Sequence, residues 1–155
     1  MEKEVMEGNE NQELMVKDFS EMSHKSNVKR DIFTNITDQK KIFNLENTCD
    51  YKINDCKGEL IRVKEVLVKR IEKPLDEPEI DENGEIIKDK EIKLITILID
   101  DNNKSYVTAS KMFAMQMMNY INMFGLQSIE KGLEIKIIER TVKNSSNKAL
   151  GFELV

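Results

Sequence analysis

The chain has 155 residues, with 24 Lys and Arg against 29 Asp and Glu for a net charge of −5, 39% hydrophobic and 34% charged residues, and no tryptophan. That length fits one domain with a modest core and a heavily solvated exterior, and the composition excludes a fibre. No apolar run approaches the roughly 20 residues that cross a bilayer, and the acidic start over 1–11 predicts no export and a cytoplasmic protein without membrane contact.

Residues 1–30 mix Glu, Asn, Ser, Lys and Met without a sustained period, which predicts a flexible, acidic, disordered arm ahead of a single domain over 31–155. An amphipathic helix over 12–22, with Leu14, Val16, Phe19 and Met22 partly in register, is the competing reading. Apolar residues return at Ile32, Phe33, Ile36, Ile42, Phe43, Leu45, Tyr51 and Ile53, and predict an extra strand or short helix packed on the core. Residues 60–71 alternate imperfectly: Ile61 and Val63 share a face with Val66 and Val68 only if one residue is skipped near Glu65. A bulge there restores the register and leaves Arg62, Lys64 and Lys69 on the opposite face.

The acidic stretch 72–91, with an Asp81-Glu82-Asn83-Gly84 turn signal, reads as a long hairpin or flap whose tip is Asn83-Gly84. Residues 92–99 are apolar and β-branched, hence a central strand buried on much of both faces. A turn over 100–104 and a return strand over 105–108 lead into a methionine-rich helix capped by Thr108 or Ser110 and stopped by Gly125. Phe113, Met117, Tyr120, Ile121 and Phe124 form its apolar stripe, with Gln116, Asn119 and Asn122 on the wet side. A half-buried strand over 133–142, a turn at 144–147 and a last strand over 149–155 complete the chain. Three strands, one helix and two strands make a mainly β (α+β) fold: an OB-like five-stranded barrel with one helix between strands 3 and 4.

Few residues suggest chemistry. His24 is the sole histidine, and no G-x-S-x-G, phosphate-binding lysine loop or G-x-G-x-x-G occurs, so neither an enzyme nor a cofactor is expected. Cys49 and Cys56, seven apart, match neither a C-x-x-C pair nor a zinc half-site and are expected to be reduced thiols; no metal site is predicted. Asp100-Asp101 reads as turn residues, and the sequons at Asn35, Asn103 and Asn144 as accidents of an asparagine-rich chain. The helix methionines at 112, 115, 117, 118 and 123 serve the core along the apolar stripe, with Met115 and Met118 off it.

Charge is segregated. Residues 1–50 hold 7 cations and 11 carboxylates, 72–91 hold 3 and 9, and the remainder holds 14 and 9. The expected barrel is therefore basic once its arm and flap are set aside, as a phosphate-tracking groove would be. Its candidate nucleic-acid contacts are Arg62, Lys64, Lys69, Lys93, Lys104, Lys136 and Arg140, with Tyr106 as the base platform.

The segment over 32–155 resembles the small single-stranded DNA-binding proteins of phages and mobile elements of low-GC Gram-positive bacteria. The resemblance is carried by 58–66 (GELIRVKEV), 82–86 (ENGEI), Ser105-Tyr106 before Thr108-Ala109-Ser110, Phe124-Gly125, 133–138 and 152–155. It implies a barrel that coats single-stranded DNA in replication or recombination, acts in the host cytoplasm if phage-encoded, meets replication proteins and has no catalytic residues. Such proteins often carry an aromatic residue soon after the helix, where this chain has 126–129 (LQSI). The alternatives are a protein-interaction or assembly module of a phage particle, using the helix methionines and the flap, and a regulator that mimics nucleic acid through its acidic segments. An edge strand at the C-terminus leaves a homo-oligomer open.

Overall fold

The computed structural model describes residues 28–141 and 148–155. The arm with His24 and the helix alternative over 12–22 lie outside the described residues, as does the turn at 144–147. Contacts divide the described residues into two compact units: 28–30 with Ile71–Ile92, and Asp31–Arg70 with Lys93–Val155.

In chain order the elements are β1 (Lys29–Thr34), α1 (Gln39–Asn47), β2 (Tyr51–Lys52), a 3-10 turn (Ile53–Asp55), β3 (Leu60–Ile80), β4 (Ile86–Asp100), β5 (Ser105–Thr108), α2 (Lys111–Phe124), α3 (Gln127–Glu130), β6 (Leu133–Thr141) and β7 (Lys148–Leu154). The protein is mainly β. Its seven strands form one sheet in the order β2-β5-β4-β3-β6-β7, with β1 paired to β3 beside that path. β2 runs parallel to β5, whereas β4–β5, β3–β6 and β6–β7 are antiparallel.

Two expectations change here. Among the described residues the strands number seven rather than five, because residues 29–52 supply β1, β2 and α1 where one extra strand or helix was expected. The sheet also does not close into a barrel. At one end β5 takes β2 as its neighbour; at the other, the Gln116 side chain occupies the outer edge of β7. Its Oε1 accepts from the Phe152 amide (3.0 Å) and its Nε2 donates to the Phe152 carbonyl. A residue placed by periodicity on the wet side of α2 thus satisfies the strand edge.

The unit formed by 31–70 and 93–155 buries the sheet on both faces. Ile61, Val63, Val66, Val68 and Leu98 pack with Phe113 and Met117 of α2 and with Ile135, Ile137 and Phe152. On the other face Leu67, Ile97 and Ile99 pack with Ile36 under Ile42 and Leu45 of α1. Each such fully buried side chain contributes roughly 1.5–3 kcal/mol, so a strand apolar on both faces belongs at the sheet centre. Ion pairs from Lys41 to Glu65 and from Glu46 to Lys69 (2.5 Å) tie α1 to β3.

The parity of the buried residues switches between Val63 and Val66, as the skipped residue near Glu65 requires. Asn35 satisfies the backbone at the switch: its amide donates to the Lys64 carbonyl (3.1 Å) and accepts from the Val66 N–H (2.9 Å). Capping of α2 follows the sequence, with Ser110 accepting from Phe113 N–H (3.2 Å).

In the other unit, β3 runs to Ile80 and β4 starts at Ile86, so the tip falls at Asn83-Gly84. Asp81 Oδ1 accepts from the amides of Asn83 and Glu85, and Gly84 sits at φ +80°, a conformation open to glycine at little cost.

Candidate functional site

A clasp between Asp50 and Ser105 builds one wall of a cleft. The Asp50 amide donates to Ser105 Oγ (2.9 Å), while Asp50 Oδ2 accepts from the Ser105 amide (2.9 Å) and hydroxyl (3.1 Å). The Ser105 backbone donor and then its hydroxyl hold the Asp50 carboxyl below the usual carboxylate range. The clasp sets β2 parallel to β5 and places Tyr51 in register with Tyr106. Their rings stack with centroids 5.2 Å apart and planes 29° apart. Tyr51 keeps 48% of its surface exposed, so the outer ring of the pair faces solvent.

Tyr106 lies beneath it, half-buried against the core. Its phenol donates to Asp100 Oδ2 (2.9 Å), and burial, followed by that carboxylate, pushes its pKa far up, so it stays a neutral donor. Asp100 Oδ1 accepts from the amides of Asn102 and Lys104 (2.9 and 2.8 Å), so the same carboxylate shapes the turn that carries Lys104. The resulting cleft of about 730 Å³ is lined by the tyrosines, Lys52 and Lys104, and by Asp50, Asp55, Glu59 and Asp100. Asp50 and Asp100 accept from internal donors and keep their charge, so with Asp55 and Glu59 the lining carries four carboxylates against two lysines. Cys49 and Cys56 also line it, but burial pushes both thiols up, which makes them poor nucleophiles.

Comparison with family models, curated proteins and solved structures gives no match.

Of the residues expected to form one basic face, only Lys104 and Tyr106 meet in this cleft. Tyr106 is the buried partner of the stack, and Tyr51 is the exposed platform. Arg62 stands in register with Glu134, 3.4 Å from its carboxylate, and 4.0 Å from Asp101. Its guanidinium also lies over Gly132, where a Cβ would come within 2.6 Å of it. Arg62 is therefore a structural tie between β3 and β6.

Lys69 is held by Glu46 of α1 and is only 17% exposed. Lys64 is half-buried beside the Asn35 patch, while Lys93 is exposed on β4. Lys136 is exposed but stands in register with Glu153, so its outward face is charge-balanced. Arg140 faces Ala149 and reaches the Phe152 carbonyl at 3.5 Å, near the β7 edge. The cations are thus distributed over several faces, because the sheet pairs positive residues of one strand with carboxylates of the next.

Sequence reasoning passed over Lys52 and Asp50 as site residues, and counted Tyr51 among the strand aromatics able to stack without choosing it as the platform. Their partner Ser105 lies 55 positions away, and a two-residue parallel strand leaves no periodic signal.

Arg62 and its partner Glu134 also rim a shallower groove of about 310 Å³ lined by Tyr120, Phe124, Leu133, Leu154 and Val155. Tyr120 and Phe124 contact there with centroids 4.8 Å apart. Of the methionines off the helix stripe, Met115 is exposed, whereas Met118 packs partly on the core. Among the described residues no group of three or more His, Cys, Asp or Glu could hold a metal ion, and no helix is long and apolar enough to cross a membrane.

Proposed function

We propose that the chain is a non-enzymatic single-stranded DNA-binding protein that coats strands during phage-type replication or recombination, and that it takes bases in the Tyr51–Tyr106 cleft. The observation that carries this reading is the stacked tyrosine pair with its outer ring open to solvent and Lys52 and Lys104 beside it. Base-on-aromatic stacking contributes about 1–3 kcal/mol per base and tolerates any sequence. The order β5-β4-β3-β6-β7 with α2 between β5 and β6 supports an OB-like reading. The second and third strands of that fold, here β4 and β5, carry its ligand face.

Two lysines against four carboxylates in the cleft lining make stacking, rather than phosphate neutralisation, the source of affinity. The salt slope of log affinity is then no steeper than about −1.4, against about −5 for a face of seven cations. The test is fluorescence anisotropy of a labelled thymidine oligomer at several salt concentrations, with duplex DNA as competitor. Wild-type protein should bind with the shallow slope and resist duplex. Tyr51→Ala should weaken binding by about 1–3 kcal/mol with an unchanged slope. No binding at low salt, or full affinity in a folded Tyr51→Ala protein, would overturn the assignment.

A further inference from the structure

Stacking on Tyr51 accounts for holding a base of any kind, but it makes no use of the carboxylates that share the cleft. Asp50 and Asp100 accept from internal donors. Asp55 and Glu59 are exposed, and among the described residues their carboxylates have no hydrogen-bond or ion-pair partner.

The backbone fixes both positions. Asp55 ends the 3-10 turn four residues after Tyr51, where the Cys56 amide donates to the Ile53 carbonyl (2.9 Å). The Glu59 amide donates to the Cys56 carbonyl (2.9 Å), and the Glu59 carbonyl accepts from the Ile137 amide (3.0 Å) at the entry to β3. The Cys56 thiol relates the two carboxylates to the stack. Burial, then Glu59 and Asp55, push that thiol up, and after burial and Asp100 the same thiol adds to the upward shift of the Tyr106 phenol.

An ionised carboxylate can only accept hydrogen bonds, and beside a stacking ring it repels the phosphates of a bound strand. A base that turns N–H groups toward it offsets that repulsion. Among the DNA bases guanine presents two adjacent donors, N1–H and the N2 amino group, which fit the two oxygens of one carboxylate. Thymine has a single N–H between two carbonyl oxygens, whereas adenine and cytosine set their amino group beside a ring-nitrogen acceptor.

We propose that the tyrosine cleft prefers guanine within a single strand, with the carboxylates of Asp55 and Glu59 reading its N1–H and N2 amino group. The inference rests on the assignment of the cleft as a base-stacking site and adds a base preference to it.

The test is fluorescence anisotropy with labelled thymidine pentamers that differ only at the centre, which carries thymine, guanine, adenine or hypoxanthine. Adenine matches guanine in stacking area, and hypoxanthine is guanine without its N2 amino group. The guanine probe should bind about tenfold tighter than the thymine or adenine probe, with hypoxanthine in between. In the Asp55→Ala, Glu59→Ala double variant, checked for folding by a thermal melt, the guanine-to-adenine ratio should fall below about twofold. Relief of phosphate repulsion strengthens every probe alike and leaves that ratio unmoved, so the ratio isolates the reading of the base edge. Equal affinity for guanine and adenine, or a preference that survives in the folded double variant, would overturn this inference and leave stacking intact if thymidine binding still depends on Tyr51. No binding of any probe at low salt would overturn both.

Discussion

The turns at 81–85 and 100–104 are built alike. In each, an aspartate Oδ1 accepts from the amides two and four residues on, and the aspartate N–H donates to the carbonyl four residues on at 2.9 Å. The fourth residue has positive φ, +80° at Gly84 and +64° at Asn103. They differ in the second carboxylate oxygen. Asp100 Oδ2 receives the Tyr106 phenol, and the next residue's amide, that of Asp101, donates to the Arg62 carbonyl (3.2 Å). Among the described residues Asp81 makes no such second tie. One local recipe therefore yields a free tip in one place and an anchored site wall in the other, according to what lies within reach of the spare oxygen.

The largest expected contrast is between the two aspartates. Asp100→Ala strands two turn amides and a half-buried phenol and should cost about 3 kcal/mol, whereas Asp81→Ala frees amides that water can reach and should cost about 1 kcal/mol. At roughly 3 °C per kcal/mol for a chain of this size, thermal melts should fall by about 10 °C and about 3 °C. Equal losses would show that the phenol adds nothing.

A smaller contrast concerns the positive-φ residue. Gly84→Ala should cost about 1 kcal/mol, because a Cβ crowds the carbonyl in the left-handed region. Asn103→Gly should shift stability by less than about 0.5 kcal/mol, since relief of that crowding is offset by the freer unfolded chain. Denaturant midpoints decide both, and a marked loss at Asn103→Gly would mean that its Lys41 contact (3.2 Å) governs the turn.

The smallest effect is a pH dependence at the Asp50–Ser105 clasp that follows the anchored turn. The carboxyl of Asp50 titrates lower in the fold than in the unfolded chain, so its contribution is complete above the ordinary carboxylate range and is lost as pH falls through the lowered value. The gap in melting temperature between wild type and Asp50→Asn should therefore be widest near neutrality and close on acidification. A gap that is constant down to strongly acidic pH would remove the charged clasp from the account.

Much of the backbone was legible because local signals agree. β5 spans Ser105–Thr108 as the sequence indicates, α2 ends where Gly125 stops it, and the parity switch near Glu65 is visible in the apolar pattern alone. What escaped notice depends on side chains meeting across long separations. Asn35 reads as an idle sequon, yet its amide repairs a strand 31 residues away. Gln116 reads as a wet helix residue, yet it holds Phe152 over a separation of 36. The site was legible only in part for the same reason. Tyr106 and Lys104 carry a local turn-and-strand signal, whereas Tyr51 joins them through a pairing fixed by Asp50 and Ser105. Composition could count the cations but not the carboxylates set opposite them.

The side-chain amide of Gln116 has a further consequence for how far this sheet can extend. It offers one donor and one acceptor in the arrangement of a peptide group, so β7 meets a counterfeit strand one residue long. A real neighbouring strand would invite another beyond it; a lone amide borne on a helix does not. In that sense α2 caps the outer edge of β7 at Phe152, so a strand added there would first have to displace a glutamine.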